Sequence, residues 1–200
     1  MSTTEQATDR RTALLDAAVV EIARHGARGL RVEHVAKAAN VSVALIYHYF
    51  DDRSTLLQRA LEHVGTRAVR YTARPVGSTG RATLVATLLA EIQEAPEVRT
   101  NSAAWGELRD AAIFDEALRP TLALLTAEWV DNIAALIRAG REDGSVAPAV
   151  PAKDTAIRLT ALVEGVSGRW LAGLLGTAQA RGHLSAGIDV LLGEPPSSRA

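Results

Sequence analysis

The 200-residue chain has no cysteine, so it can build neither a disulfide framework nor a thiolate metal site. It has one methionine and only eight aromatic residues: three Trp, three Tyr and two Phe. No apolar run approaches the roughly 18 residues of a membrane span, and the opening "MSTTEQATDRR" lacks the apolar stretch of a signal peptide. A cytoplasmic protein without membrane association is expected. There is no Gly-rich phosphate loop and no Ser-His-Asp cue. His25, His34, His48 and His63 show no metal-ligand pattern, and Glu33 beside His34 adds no second ligand at helical spacing. Neither enzyme activity nor a metal or cofactor is expected.

Hydrophobic residues make up 48% and charged residues 22%, as in ordinary globular chains. The net charge of −1 hides an asymmetry. Residues 1–75 carry 11 Lys and Arg against 8 Asp and Glu, net +3, while the remainder carries 11 against 15, net −4. A mildly basic end on an acidic body suggests an anionic partner at that end.

Nearly everything reads as helix. Leu15, Ala18, Val19 and Ile22 fall at i, i+3, i+4, i+7, one apolar face of a helix from about Asp9 to His25 that Gly26 can end. Val32, Val35, Ala36 and Ala39 repeat the spacing in a shorter second helix. "AANVS" then interrupts. Asn40 tolerates the left-handed conformation of a tight turn, and Ser42 is a good cap for a third helix, about Val43 to Phe50. Asp52 or Ser54 can cap a fourth, from about Thr55 to Thr72. "RPVGSTG" at 74–80 reads as loop. Further helices are expected at about 81–94, 97–113, 116–142, 154–176 and 184–192, with "GEPPSSRA" a disordered tail.

Two short helices joined by a tight turn form a helix-turn-helix, whose second helix in its DNA-binding use lies in the major groove. Ile46 and Phe50, at i and i+4, can pack beneath Val35, Ala36 and Val41. Val43, Ala44, Tyr47 and His48 are left on the opposite face. A free surface gains little by showing Val, Ala, Tyr and His together, but a face pressed into DNA can use all of them. No Arg, Lys, Asn or Gln stands there to make a bidentate base pairing. Val43, Ala44 and Leu45 can touch thymine methyls, and His48 and Arg31 are the candidates for hydrogen bonds to base edges. Specificity is expected to lean on Arg31, methyl contacts and DNA shape.

From "ALLDAAVVEIARHG" through "RVEHVAKAANVSVALIYHYFDDRSTLL" the chain resembles the TetR family of bacterial transcriptional repressors. The motifs are Val35-Ala36 in the second helix, Asn40-Val41-Ser42 at the turn, "IYHYF" at Ile46–Phe50 and Arg53 three residues on. Asn40 stands for the family's usual Gly, Arg53 for a usual Lys, and Arg31 for a common Ser or Thr cap. The resemblance implies an all-α protein of about nine helices. A three-helix DNA-binding head, residues 1–56, would precede an effector-binding and dimerisation domain, residues 57–200. It implies DNA contacts from Arg31, Ser42, Val43, Ala44, Leu45, Tyr47, His48, Tyr49 and Arg53, with Tyr47 and Arg53 on phosphates.

The helix at 154–176 is apolar on most sides, so it needs one partner within the chain and one outside. By the resemblance, Ala161, Gly165, Gly168, Leu184, Ile188 and Leu191 form a four-helix homodimer interface. A small-molecule pocket would be lined by Leu88, Trp105, Leu108, Phe114, Leu125 and Trp129. The scarcity of aromatics favours a small aliphatic or mixed-polarity effector. The implied function is a repressor that a small molecule releases from palindromic double-stranded operator DNA. The alternatives are a DNA-binding protein of this fold without small-molecule control and, in another class, a helical enzyme or carrier, for which no motif speaks.

Overall fold

The computed structural model describes residues 3–71 and 78–193, with side chains omitted at 3–7, 69 and 70. Among the described residues the chain forms nine α-helices, one 3-10 turn and no strand. The helices are α1 Thr3–Gly29, α2 Val32–Ala38, α3 Val43–Tyr49, α4 Arg53–Tyr71, α5 Gly80–Leu89, α6 Pro96–Ala111, α7 Arg119–Glu142, α8 Ala152–Leu171 and α9 Thr177–Leu192. The 3-10 turn, Glu116–Leu118, leads into α7, which places Pro120 in the first helical turn, where a missing N–H costs nothing. The expected loop at 74–80 lies mostly outside the described residues, and the expected tail lies outside them beyond Gly193.

The chain packs as two compact units. One runs to Arg67 and includes Thr100–Leu124, and the other comprises Ala68–Arg99 and the chain from Leu125. The division expected after residue 56 falls inside α4.

In the first unit, α1 leaves helical geometry at Gly26 (φ 75°, ψ 158°), a conformation glycine adopts without strain. Its apolar stripe buries Leu14, Ala18, Val19 and Ile22. Val32, Val35 and Ala36 bury the inner side of α2. Asn40 takes the left-handed turn (φ 53°) that the sequence requires there. Ser42 caps α3 by accepting the Leu45 N–H at 3.2 Å, and Asp52 caps α4 by accepting the Thr55 N–H at 2.7 Å. The Asp52 carboxyl is held below its ordinary range by these Thr55 hydrogen bonds.

The second unit buries one face each of α5, α7, α8 and α9, with Leu84, Leu88, Ile133, Ile137, Leu159, Trp170, Leu184 and Ile188 in a common core. α9 begins two turns earlier than the sequence suggests. The side chain of Gln179 accepts the Gly176 N–H at 3.0 Å and so caps an otherwise weak start. Arg181 on α9 donates to the carbonyls of Leu89 (2.6 Å) and Ile92 (3.0 Å), satisfying the open end of α5. Arg81 at the start of α5 pairs with Asp189 at 2.8 Å.

Candidate DNA-binding face and effector groove

α3 has seven residues, too few to hold its place by helix propensity. Ile46 and Phe50, each 1% exposed, fix it to the head. The Phe50 N–H donates to the Ile46 carbonyl at 2.8 Å, ending the helix. Ser42, Ala44, Tyr47 and His48 are exposed, while Val43, Leu45 and Tyr49 are half-buried. His48 and Tyr49 meet edge to face at 5.4 Å, which orders both rings. Arg31 precedes α2, makes no side-chain cap and is exposed. Its guanidinium has no partner among the described residues, leaving all its donors available.

Arg53 has protein partners that the resemblance does not imply. Its guanidinium is half-buried and donates to the carbonyls of Ala27 (2.5 Å), Leu30 (2.9 Å) and Arg28 (3.1 Å). These carbonyls belong to the chain just after the Gly26 kink, where the helix ladder leaves acceptors open. Arg53 therefore ties the start of α4 to the end of α1. Arg53→Ala is expected to lower unfolding free energy by about 2 kcal/mol, the scale of charge-assisted hydrogen bonds. It should leave the salt dependence of DNA binding almost unchanged. A lost phosphate contact would instead reduce the slope of log affinity against log salt by about 0.9.

The six residues expected to line a pocket are divided between the two units: Trp105, Leu108 and Phe114 belong to the first, and Leu88, Leu125 and Trp129 to the second. Leu88 is a buried core residue of the second unit, and Leu108 a buried core residue of the first. Trp105 and Leu125 are half-buried, and Trp129 packs against the second unit's core. Phe114 is 72% exposed, with the Arg28 guanidinium 4.2 Å from its ring centroid. Apolar spacing finds buried positions but does not separate a core from a cavity wall.

The second unit carries a groove of about 870 Å³ instead, with Tyr71, Arg81, Val85, Leu89, Gln93 and Arg181 among its lining. Arg81 and Arg181 are already engaged by Asp189 and by backbone carbonyls. The Tyr71 hydroxyl donates to Glu91 at 3.2 Å. Desolvation pushes the Glu91 carboxyl up to about 7, against the opposing pull of that hydrogen bond. A carboxyl with a raised folded-state pKa favours folding most when protonated, below its ordinary 4.5, and loses that contribution as pH rises through about 7. Glu91→Gln is expected to flatten the pH dependence of urea unfolding between about pH 5 and pH 8 and to be more stable than the parent above neutrality.

Of the residues expected at a dimer interface, Ala161, Gly165 and Gly168 are exposed along α8, and Leu191 is half-buried. Leu184 and Ile188 are fully buried within the protomer, so they cannot meet a partner. The reason is the i, i+4 ridge Leu184–Ile188–Leu192, which turns inward as one stripe. It leaves Gly182, Ala186 and Val190 outward, Val190 82% exposed. Spacing alone does not say which side of a two-sided apolar helix faces its own core.

Sequence reasoning also missed a cluster in the first unit. Glu21 and His25 share a face of α1, and α2 brings His34 beside them. The i, i+4 spacing of the first two was available in the sequence. The third depends on the turn after Gly26.

Comparison with known proteins matches two stretches of the chain separately. Residues 14–60 match the family model described as bacterial regulatory proteins, tetR family, and residues 80–193 match that of the BetI-type transcriptional repressor C-terminal region. The chain is 30% identical over 173 residues to the HTH-type transcriptional regulator BetI of Burkholderia thailandensis, covering 83% of this chain and 82% of that one. Among solved structures, a TetR-family regulator from Rhodococcus sp. superposes with TM-score 0.86 at 45% identity, covering 93% of this chain and 100% of that one. A transcriptional regulator from Saccharomonospora viridis in complex with choline gives TM-score 0.77 at 24% identity, covering 92% and 96%. The chain belongs to the TetR family of bacterial transcriptional regulators, and its C-terminal region is of the BetI repressor type.

Proposed function

We propose that this regulator works in the cytoplasm as a homodimeric repressor that binds palindromic operator DNA and leaves it when a small molecule occupies the groove beside Tyr71. The observation that carries the DNA side is the exposed face of α3, flanked by Arg31 with all its donors available. Tyr47, Tyr49, Ser42 and the start of α3 supply phosphate contacts. Val43, Ala44 and Leu45 press on thymine methyls, and His48 and Arg31 reach base edges. One short groove-reading helix gives modest affinity, and a two-fold partner doubles the contact. The small-residue faces of α8 (Ala161, Gly165, Gly168) and α9 (Gly182, Ala186) allow the close approach such a partner needs.

Tyr71 lines the groove, and its hydroxyl donates to Glu91, a desolvated carboxyl that is not itself part of the lining. A positive group in the groove favours the ionised form of that carboxyl. A small organic cation is the class favoured, and choline, bound by a structural relative, is the first compound to test. Release needs a preference of only about 1–3 kcal/mol for the conformation that binds DNA poorly.

The test is release of a fluorescent operator duplex during a choline titration, in the parent and in Glu91→Gln. Saturable release that the substitution weakens supports the reading. Release that ignores the substitution places the effector elsewhere. For the DNA side, Arg31→Ala across an operator mutation series should cost about 1–3 kcal/mol on the preferred sequence and relax preference at one position per half-site. A uniform loss on every sequence would make Arg31 a phosphate contact only.

A further inference from the structure

We propose that Glu21, His25 and His34 form a binding site for a zinc-class divalent cation that cross-links α1 to α2. Their ligand atoms all lie within 4.8 Å of one another. Glu21 Oε2 stands 3.6 Å from His25 Nε2 and 3.9 Å from His34 Nδ1. In a tetrahedral zinc site with bonds of 2.0–2.1 Å, neighbouring ligand atoms are about 3.3 Å apart. Small side-chain rotations close that difference. The imidazoles approach with ring centroids 6.0 Å apart at 64°, so both can turn a nitrogen to a shared point.

The Glu21 carboxylate supplies a second, independent reason. Glu21 is only 7% exposed. Among the described residues its carboxylate meets Arg24 at 3.9 Å and the two histidines, all beyond hydrogen-bond length. The Arg24 side chain is itself 68% exposed and solvated. A carboxylate on a side chain only 9% exposed, with no partner at hydrogen-bond length, is suited to a cation held jointly with two imidazoles.

The ligand set decides the class. Two imidazole nitrogens and one carboxylate, without sulfur, suit Zn(II) and its borderline neighbours rather than Mg(II) or Ca(II), which prefer all-oxygen shells. Both histidines are about half exposed, so the outer ring nitrogens can reach water and a fourth coordination position opens to solvent. The cation would clamp α2 across the Gly26 kink. Since α3 is seated on α2, it would stiffen the head that presents the DNA-binding face.

The experiment uses the full-length, tag-free protein, stripped of metal and titrated with ZnCl2 by calorimetry, with thermal unfolding alongside. The expected result is one zinc per chain with Kd of about 10 µM or tighter. The melting temperature should rise by about 5 °C at a hundredfold excess over Kd. His25→Ala and His34→Ala, both at half-exposed positions, should each weaken binding at least about tenfold and remove the melting shift. His183→Ala, at an exposed position on α9, should keep both. Binding weaker than about 10 µM, or equally tight in the His25 and His34 variants, overturns the site.

Discussion

Phe50→Ala is expected to lower the unfolding free energy of the head by about 3–5 kcal/mol and to abolish sequence-preferring DNA binding. Phe50 is 1% exposed, and its ring lies 6.4 Å from that of Tyr49 and 5.9 Å from the Arg11 guanidinium. With Ile46 it is one of two fully buried anchors of a seven-residue helix. Truncation leaves a cavity under the end of α3 and removes half of what fixes the helix. The melting temperature, read by circular dichroism, should fall by about 10 °C. The same samples should lose operator affinity in anisotropy while the helices of the second unit persist. A variant that melts as the parent does would mean that α3 is held by something other than its inward face.

Gly80→Ala is expected to be nearly as damaging, in the other unit. A Cβ at Gly80 would lie 2.1 Å from the Gly140 nitrogen, 2.5 Å from its Cα and 2.7 Å from the Ala139 carbonyl carbon. All three are backbone atoms of α7, so no side-chain rotation relieves the clash. α5 would have to lift away from α7. That would strain the hydrogen bond from the Gly80 N–H to Asp143 at 2.6 Å and the one from the Arg81 N–H to Ser145 at 3.2 Å. The Asp143 carboxyl, held below its ordinary range by Ser145 and Gly80, would lose part of that support. A loss of about 3 kcal/mol or more is expected, at the upper end of overpacking costs. Gly106→Ala in α6 is the control. A Cβ there meets nothing within 4 Å, so the change should be neutral or stabilise by up to about 1 kcal/mol through helix propensity. Chemical denaturation of both variants measures the contrast.

The head was the most legible part of the sequence because its constraints are local. The turn needed a residue that accepts positive φ, and Asn40 is at φ 53°. The i, i+4 pair Ile46 and Phe50 had only one place to go. What escaped was long-range. A basic residue at position 53 can point to solvent, DNA or protein, and nothing local reveals three carbonyls 23 to 26 residues earlier. α8 and α9 are apolar on more than one side, so the inward turn of Leu184 and Ile188 depends on α5 and α8 being in place. The pocket was least legible, since buried Leu and Trp positions look alike whether they line a cavity or fill a core. Tyr71 on α4 and Glu91 in the turn after α5 lie 20 residues apart, and only the fold brings them together.

By the proposed function, α3 and Arg31 read a specific DNA site. The most direct measurement is fluorescence anisotropy of the full-length protein on duplex DNA from upstream of its own coding sequence. A scrambled duplex of equal length serves as reference, across a series of salt concentrations. Binding to the specific duplex is expected to be at least about a thousandfold tighter, with log affinity falling linearly with log salt. Phe50→Ala should erase the preference. Weak binding of equal strength to both duplexes, and to every fragment in a genome-wide selection, would contradict it.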